Sequence, residues 1–403
     1  MENKKLMMKM KISRLSILVA LLACGCSARE ADMSLQQHAE MEETEVSGLA
    51  EEPEHADVVD NQALSSNQAT EADVAIEVWG EPKLITLGFA GDVNLDENWP
   101  TTLHLNQQDN GIEDCISEEI IEDLRACDLF MLNNEFTYSD RGTPMNGKMY
   151  TFRATPSRVD VIKELGADIV LLANNHIYDY GAEAMLDTMD VLKESGIDYV
   201  GAGKNDDEAC NIVYYEIDGM KIAYVAASRA EKNKMTPQAT EDSPGILRAY
   251  DPKEFLSLVQ EADQNSDFVV ANIHWGTEYS FELEEVQKEL GHALAEAGAD
   301  LVIGTHPHVL QGIEIYDDVP IFYSLGNFWF NEKDLYSGYA KVTVDASDAS
   351  IQEIQFVPCV QQNCETRLPM NNEERQEILD FLEDISEHVM ISEEGMIKTN
   401  FSY

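Results

Sequence analysis

Five short apolar runs in this chain each end on residues able to bind a cation or move a proton. Leu87-Gly88-Phe89-Ala90 leads into Gly91-Asp92-Val93-Asn94, and Phe130-Met131-Leu132 into Asn133-Asn134-Glu135. Val170-Leu171-Leu172-Ala173 leads into Asn174-Asn175-His176, Val269-Val270-Ala271-Asn272-Ile273 into His274-Trp275-Gly276, and Val302-Ile303-Gly304 into Thr305-His306-Pro307-His308. Runs this short suit buried strands, and helix-period segments lie between them, which is the pattern of a layered α/β fold. In parallel sheets of that class, ligands bind at the carboxyl ends of the strands.

On this reading strands are expected at 84–90, 129–132, 169–173, 222–226, 268–273, 301–304 and 321–324. Helices are expected at 157–165, 183–194, 252–262, 284–297 and 372–388, with a hairpin formed by 340–344 and 351–356. Gly166-Ala167-Asp168 and Gly298-Ala299-Asp300 each follow a helix and open a strand, which reads as one turn used twice.

The segments ahead of the first strand read differently. Lys4, Lys5, Lys9, Lys11 and Arg14 precede the apolar run 15–23 and then Cys24-Gly25-Cys26-Ser27, the layout of an export signal with a lipobox-like end. Cys24 and Cys26 are both candidates for lipidation. Residues 27–80 are acidic and aromatic-poor, a composition suited to a disordered tether. The expected organisation is therefore a signal at 1–26, a tether at 27–80, a catalytic-type domain at 81–365 and a helical extension at 366–403. The chain would sit on the extracytoplasmic face of the cell membrane, held by its lipid. With 76 acidic against 27 basic residues and a net charge of −49, nucleic acid is excluded as a partner. None of the remaining cysteines forms a C-x-x-C pair, which argues against a thiolate zinc site. Cys359 and Cys364 suit either a small disulfide loop or buried thiols.

Four of the nine histidines, His176, His274, His306 and His308, fall at strand ends. One such histidine is usually structural; four beside Asp92, Glu135 and Asn175 make a site. Imidazole, carboxylate and amide oxygen without thiolate suit Mn, Zn or Fe, one or two ions. Two ions would clamp phosphoryl oxygens and hold a hydroxide nucleophile. His176 is placed to protonate a leaving oxygen, so His176 and Asp92 are the candidate catalytic residues, and Lys148, Arg153 and Asn327 the candidate substrate-binding ones.

Gly-Asp-Val-Asn-Leu, Asn-Asn-Glu, Asn-Asn-His, His-Trp-Gly-Thr-Glu, His-Pro-His-Val and Ser-Leu-Gly-Asn-Phe occur in this order. Together they resemble the CapA family of poly-γ-glutamate capsule proteins, within the calcineurin-like metallophosphoesterase superfamily. That resemblance, running from about Leu84 to Phe328, implies a layered metallophosphoesterase-like sandwich. It implies metal ligands at Asp92, Glu135, Asn175, His274, His306 and His308. Asn94 stands where the superfamily has a histidine ligand, and Glu135 where it has an aspartate. The implied role is the synthesis or export of poly-γ-glutamate, or of another anionic polymer or phosphoester, alongside membrane synthase partners. The alternative is a non-catalytic, polymer-binding or scaffold component of the same assembly.

Overall fold

In the computed structural model, which describes residues 83–231 and 234–399, two β-sheets face each other. The expected signal and tether, with Cys24 and Cys26, lie outside the described residues. Among the described residues, no helix is long and apolar enough to cross a membrane.

The first sheet is built on four parallel strands, β1 (Leu84–Val93), β2 (Leu129–Asn134), β3 (Ile169–Leu171) and β4 (Asp198–Val200). The second has the order β9-β10-β8-β7-β6-β5, from β5 (Val213–Ile217), β6 (Met220–Ser228), β7 (Phe268–His274), β8 (Leu301–Thr305), β9 (Ile313–Tyr316) and β10 (Val319–Phe322). Its four inner strands are parallel, and antiparallel β5 and β9 form the edges. The first sheet is completed by β11 (Asn327–Trp329), parallel to β1, and by the antiparallel strands β12 (Leu335–Asp345), β13 (Ile351–Gln362) and β14 (Glu365–Arg367).

Period-two alternation gives the second sheet two apolar faces. Ile222, Tyr224 and Ala226 of β6, with Phe268 and Val270 of β7, join the core between the sheets, where Tyr224 meets Phe89 of β1 at 6.4 Å between ring centroids. Ala223, Val225, Val269 and Ala271 point the other way and pack with Phe255, Leu258, Val259, Leu290 and Leu294. Each large side chain buried this way stabilises the fold by ~1.5–3 kcal/mol. This two-faced burial is why the strands read as continuous apolar runs.

Helices α1 (Glu118–Arg125), α2 (Val159–Leu165) and α3 (Gly181–Ser195) connect strands of the first sheet, and α4 (Lys253–Asn265) and α5 (Glu285–Glu296) those of the second. The repeated Gly-Ala-Asp turn has a structural cause. Gly166 and Gly298 take φ of 88° and 107°, which a side chain resists, and so stop α2 and α5. The aspartate that follows then binds the neighbouring strand: Phe130 N donates to Asp168 Oδ2 at 2.8 Å, and Val269 N to Asp300 Oδ2 at 2.7 Å.

Helix α6 (Asn372–Asp384) stops four residues short of the expected end, and the strand pair Val389–Ile391 and Ile397–Thr399 follows it. Ile378, Leu379, Leu382, Val389 and Ile397 join the same hydrophobic core cluster as the first sheet. Glu387 N donates to Ile313 O at 3.0 Å, tying this stretch to β9. Cys359 and Cys364 are buried free thiols, so the disulfide alternative is not formed.

Candidate metal centre

The carboxyl ends of both sheets meet at one buried cluster. The first sheet supplies Asp92, Glu135, Asn175 and His176, and the second supplies His274, His306 and His308; all seven are at most 6% exposed. His306 and His308 both have left-handed backbones, with φ of 99° and 58°. Such a conformation is costly for a side-chain-bearing residue. It is also what turns the chain at Pro307 so that the two imidazoles share one site, 6.0 Å apart. The end of β1 is held as closely. Asp92 N donates to Gly326 O at 2.8 Å, and a Cβ on Gly91 would lie 1.9 Å from that same oxygen.

Three of the imidazoles are oriented from behind. His176 Nδ1 lies 2.6 Å from Asp179 Oδ2, His274 Nδ1 lies 2.9 Å from Thr305 Oγ1, and His308 Nδ1 lies 2.9 Å from Asn327 Oδ1 and 3.0 Å from Asp92 Oδ2. At His274 and His308 these oxygens can accept from an Nδ1–H, which leaves Nε2 with its lone pair free; at His176 the Asp179 carboxylate can also support a proton on both ring nitrogens. The three Nε2 atoms converge on Glu135 Oε1, at 3.7 Å for His274 and 3.9 Å for His176 and His308. Glu135 Oε1 is buried and has no hydrogen-bond donor, and neither does His306 Nδ1. A buried carboxylate oxygen without a donor is costly, so a cation is the partner this geometry calls for.

The electrostatics agree. Burial, then the neighbouring Asp92, holds the Glu135 carboxyl well above the usual carboxylate range. Burial pushes His274 and His306 well below the ordinary imidazole value and lowers His176 too, although Asp179 opposes the shift at His176. Neutral imidazoles are the form that binds metal. Two donor sets overlap at Glu135: Glu135 with His274 and His306, and Asp92 with Glu135 and His308, the donor atoms within each set lying within 4.8 Å of one another. Asn175 Oδ1 adjoins the first set, 2.8 Å from His274 Nε2. The residues present therefore fit one or two divalent ions, with Glu135 common to both donor sets. Asn94 fits less well as a ligand. Its Oδ1 is already engaged by Asp96 N at 2.8 Å and its buried Nδ2 has no hydrogen-bond partner, while Asp92, Glu135 and His308 are the carboxylate and imidazole donors gathered on that side.

Several supporting residues were not singled out in the sequence. Asn133 Nδ2 donates to Asp92 Oδ1 at 2.7 Å and to Glu135 Oε2 at 3.2 Å, while Asn174 Nδ2 donates to Asn133 Oδ1 at 3.0 Å. In both Asn-Asn doublets, then, the first asparagine braces the site. The spacing His176-x-x-Asp179 was the one visible sign of the His–Asp pair.

The three candidate substrate residues fare differently. Lys148 is part-buried, with Nζ 2.6 Å from Asp179 Oδ1 and a hydrogen bond to Asn175 O, so it supports the site from behind. Arg153 lies over the Tyr180 ring at 4.2 Å and donates to Arg141 O, turned to other partners than the centre. Asn327 belongs to the centre through His308.

Residues 86–332, more than half of the chain, match the family described as bacterial capsule synthesis protein PGA_cap. The capsule biosynthesis protein CapA of Bacillus anthracis is 40% identical over 183 residues, 44% of this chain and 44% of that protein. The PGA biosynthesis protein CapA of Bacillus subtilis is 38% identical over 175 residues, 43% and 45% of the two chains. The match therefore spans less than half the length of these relatives. Among solved structures, a phosphatase from Mycoplasma pneumoniae aligns with a TM-score of 0.45 and 14% identity over 70% of this chain and 95% of that one. The 5'-nucleotidase from Candida albicans aligns with a TM-score of 0.40 and 13% identity over 73% and 58%. By the match over residues 86–332, this chain belongs to the bacterial capsule synthesis protein family PGA_cap, the CapA family whose motifs it carries in order.

Proposed function

We propose that this is an exported, lipid-anchored protein that hydrolyses a bond in, or attached to, an acidic capsule polymer of the poly-γ-glutamate type, using one or two divalent ions of Mn, Zn or Fe. The observation that carries this reading is the convergence of three imidazole Nε2 atoms on the donor-less Glu135 Oε1. Asp92, Glu135, Asn175, His274, His306 and His308 would hold the ions, which when bound supply Lewis acidity and a hydroxide nucleophile at neutral pH. Asn133 keeps the Asp92 and Glu135 carboxylates in register, and burial keeps bulk water out. His176, with its Nδ1 held by Asp179, presents Nε2 as the group that hands a proton to the leaving atom.

A second reading has its own observation. Asn94 offers no imidazole to the Asp92 side and shares its Oδ1 with Asp96 N, which favours weaker metal binding there and a polymer-guiding or scaffold role beside membrane synthase partners. Elemental analysis of the purified protein, followed by turnover of a chromogenic phosphodiester, separates the two. Near two equivalents of metal, with turnover lost in His176→Ala, supports the hydrolase. No metal and no turnover after loading with Mn²⁺ or Zn²⁺ leaves the scaffold role.

A further inference from the structure

On the flank of the metal centre where His176 lies, aromatic rings form a continuous wall. Phe152 packs on the His176 ring at 4.3 Å between centroids, and Phe330 on the His308 ring at 4.4 Å. Trp99 joins the two, 4.8 Å from Phe152 and 6.5 Å from Phe330. Tyr150 extends the wall outward, 5.8 Å from Trp99 and 6.5 Å from Phe152. Burial falls off in that order. Phe152 and Phe330 are at most 4% exposed, Trp99 is half-buried and Tyr150 is 54% exposed. The wall therefore runs from two imidazoles of the centre out to solvent.

The segment that carries Tyr150 and Phe152 is fixed beside the centre. Met145 N donates to Asp179 O at 2.7 Å, Lys148 Nζ lies 2.6 Å from Asp179 Oδ1, and Phe152 N donates to Asp179 Oδ2 at 2.7 Å. It is thus tied at three points to the residue that orients His176. A second exposed ring, Tyr279, lies 5.7 Å from the His308 ring, and its N donates to Pro307 O at 2.7 Å. Burial, then Glu278, Glu135, Asp92 and Tyr150, push the Tyr279 hydroxyl upward, so that hydroxyl is within electrostatic reach of both the centre and the wall.

Charge divides this rim. Among the described residues, Lys333 lies over Tyr279, its Nζ 3.4 Å from the ring centroid, while no cation lies over Tyr150, Trp99, Phe152 or Phe330. The basic side chains nearest the wall in sequence are engaged elsewhere, Lys148 by Asp179 and Arg153 by the Tyr180 ring. An acidic unit laid against the wall would give up hydration and meet no compensating charge. A hydrocarbon or ring laid there would give up only its contact with water.

We infer that this wall receives the leaving group of the hydrolysed bond, and that the leaving group is an apolar alcohol held as a phosphoester. His176 hands its proton to the leaving atom, so that part of the substrate departs along the flank His176 occupies, where it meets Phe152, Trp99 and Tyr150. Water adds to phosphorus, the bond from phosphorus to the alcohol oxygen breaks with its electron pair on oxygen, and the His176 proton makes that oxygen a hydroxyl. The proton released by the water restores His176. The bond cut is then one that attaches an apolar group, not one between two acidic units. The assignment of a leaving group rests on the hydrolase function proposed above; the wall rests on its ring contacts alone.

The test is calorimetric titration of the full-length protein, loaded with Mn²⁺ and with metal content measured, using two non-hydrolysable phosphonates. Naphthylmethylphosphonate carries an apolar ring and carboxyethylphosphonate an acidic arm. The naphthyl compound should bind about tenfold tighter, the gain expected of a well-covered ring contact. Tyr150→Ala should remove most of that preference, by weakening the naphthyl compound alone, and Tyr150→Phe should keep it, with metal content unchanged in both. The inference is overturned if the two phosphonates bind equally or the acidic one binds tighter. It is also overturned if the preference survives Tyr150→Ala, or if Tyr150→Phe loses it as fully as Tyr150→Ala. If no metal binds, the hydrolase reading fails, and the wall is then judged with naphthalenemethanol alone in chelator. Binding that weakens in Tyr150→Ala keeps the wall as an apolar-group site; no binding to wild type overturns it.

Discussion

Glu135 Oε1 lies 3.7 Å from His274 Nε2, too far for a hydrogen bond and close enough for both atoms to reach one cation. Substituting Glu135→Gln should therefore separate stability from function. Metal affinity should fall by more than ~100-fold, since the donor common to both sets is lost and even a substituted supporting partner of a metal site costs ~10- to 100-fold. The metal-free protein should become more stable by ~1 kcal/mol, because a buried carboxyl whose Oε1 has no donor is removed. Metal analysis and urea unfolding in chelator check the two halves.

His306 and His308 are the ends of one bent segment, and His306→Ala and His308→Ala should each lower bound metal and turnover together. Wild type should gain ~2.7 kcal/mol of stability at an ion concentration of 100 times Kd, and both variants should lose most of that gain. Thermal unfolding with and without Mn²⁺ measures it. Metal content unchanged in both variants would show the ligand set to be wrong.

Asp179 acts through His176, so Asp179→Asn is the variant of a positioning residue. It should cut turnover ~10- to 100-fold with metal content intact. Because Asp179 opposes the lowering of the His176 pKa, its loss should move the basic limb of the pH–rate profile to lower pH. The substitution also takes the Asp179 partner from part-buried Lys148, which keeps its hydrogen bond to Asn175 O and the more distant Glu231, at a cost of ~1.5–3 kcal/mol. Adding Lys148→Met should restore much of the stability without restoring the pH profile.

Asp300 offers a stability test far from the metal. Burial holds its carboxyl at about 6, above the ~3.9 of an unfolded aspartate. The fold thus favours the protonated form, a contribution complete below pH ~4 and lost as pH climbs through 6. Relative to Asp300→Asn, wild type should lose up to ~3 kcal/mol over that window, read by urea unfolding at each pH.

Gly91 should tolerate no side chain. An added Cβ would meet the Gly326 carbonyl at 1.9 Å, and the bond that anchors Asp92 uses that same carbonyl. Gly91→Ala should cost ~3 kcal/mol or more, and bound metal should fall with it.

What could be read from the sequence was whatever the second face of a strand makes visible. The runs before Asp92, Glu135, His176, His274 and His306 are almost wholly apolar, with Asn272 the buried exception, because the inner strands are buried on both sides, and their polar ends then stand out. The edge strand β5 did not stand out, because Val213-Tyr214-Tyr215-Glu216-Ile217 is half-buried and mixed in character. Residues 118–125, an eight-residue helix of charged and apolar residues, were also passed over. Lys148 and Arg153 looked like anion binders because charge type is visible in a sequence and partners are not. Which carboxylate or ring each meets depends on loops that come together only in the fold. The bracing roles of Asn133, Asn174 and Asp179 were hidden for the same reason.

That the candidate ligands come from two sheets has a consequence for how this protein would acquire an ion. Neither half alone presents Glu135 together with an imidazole of the second sheet, so loading must follow folding. The ion would then act as a rivet between the halves, and its identity would be decided by whichever divalent cation is abundant in the compartment where the chain folds, before intrinsic affinity has a chance to choose.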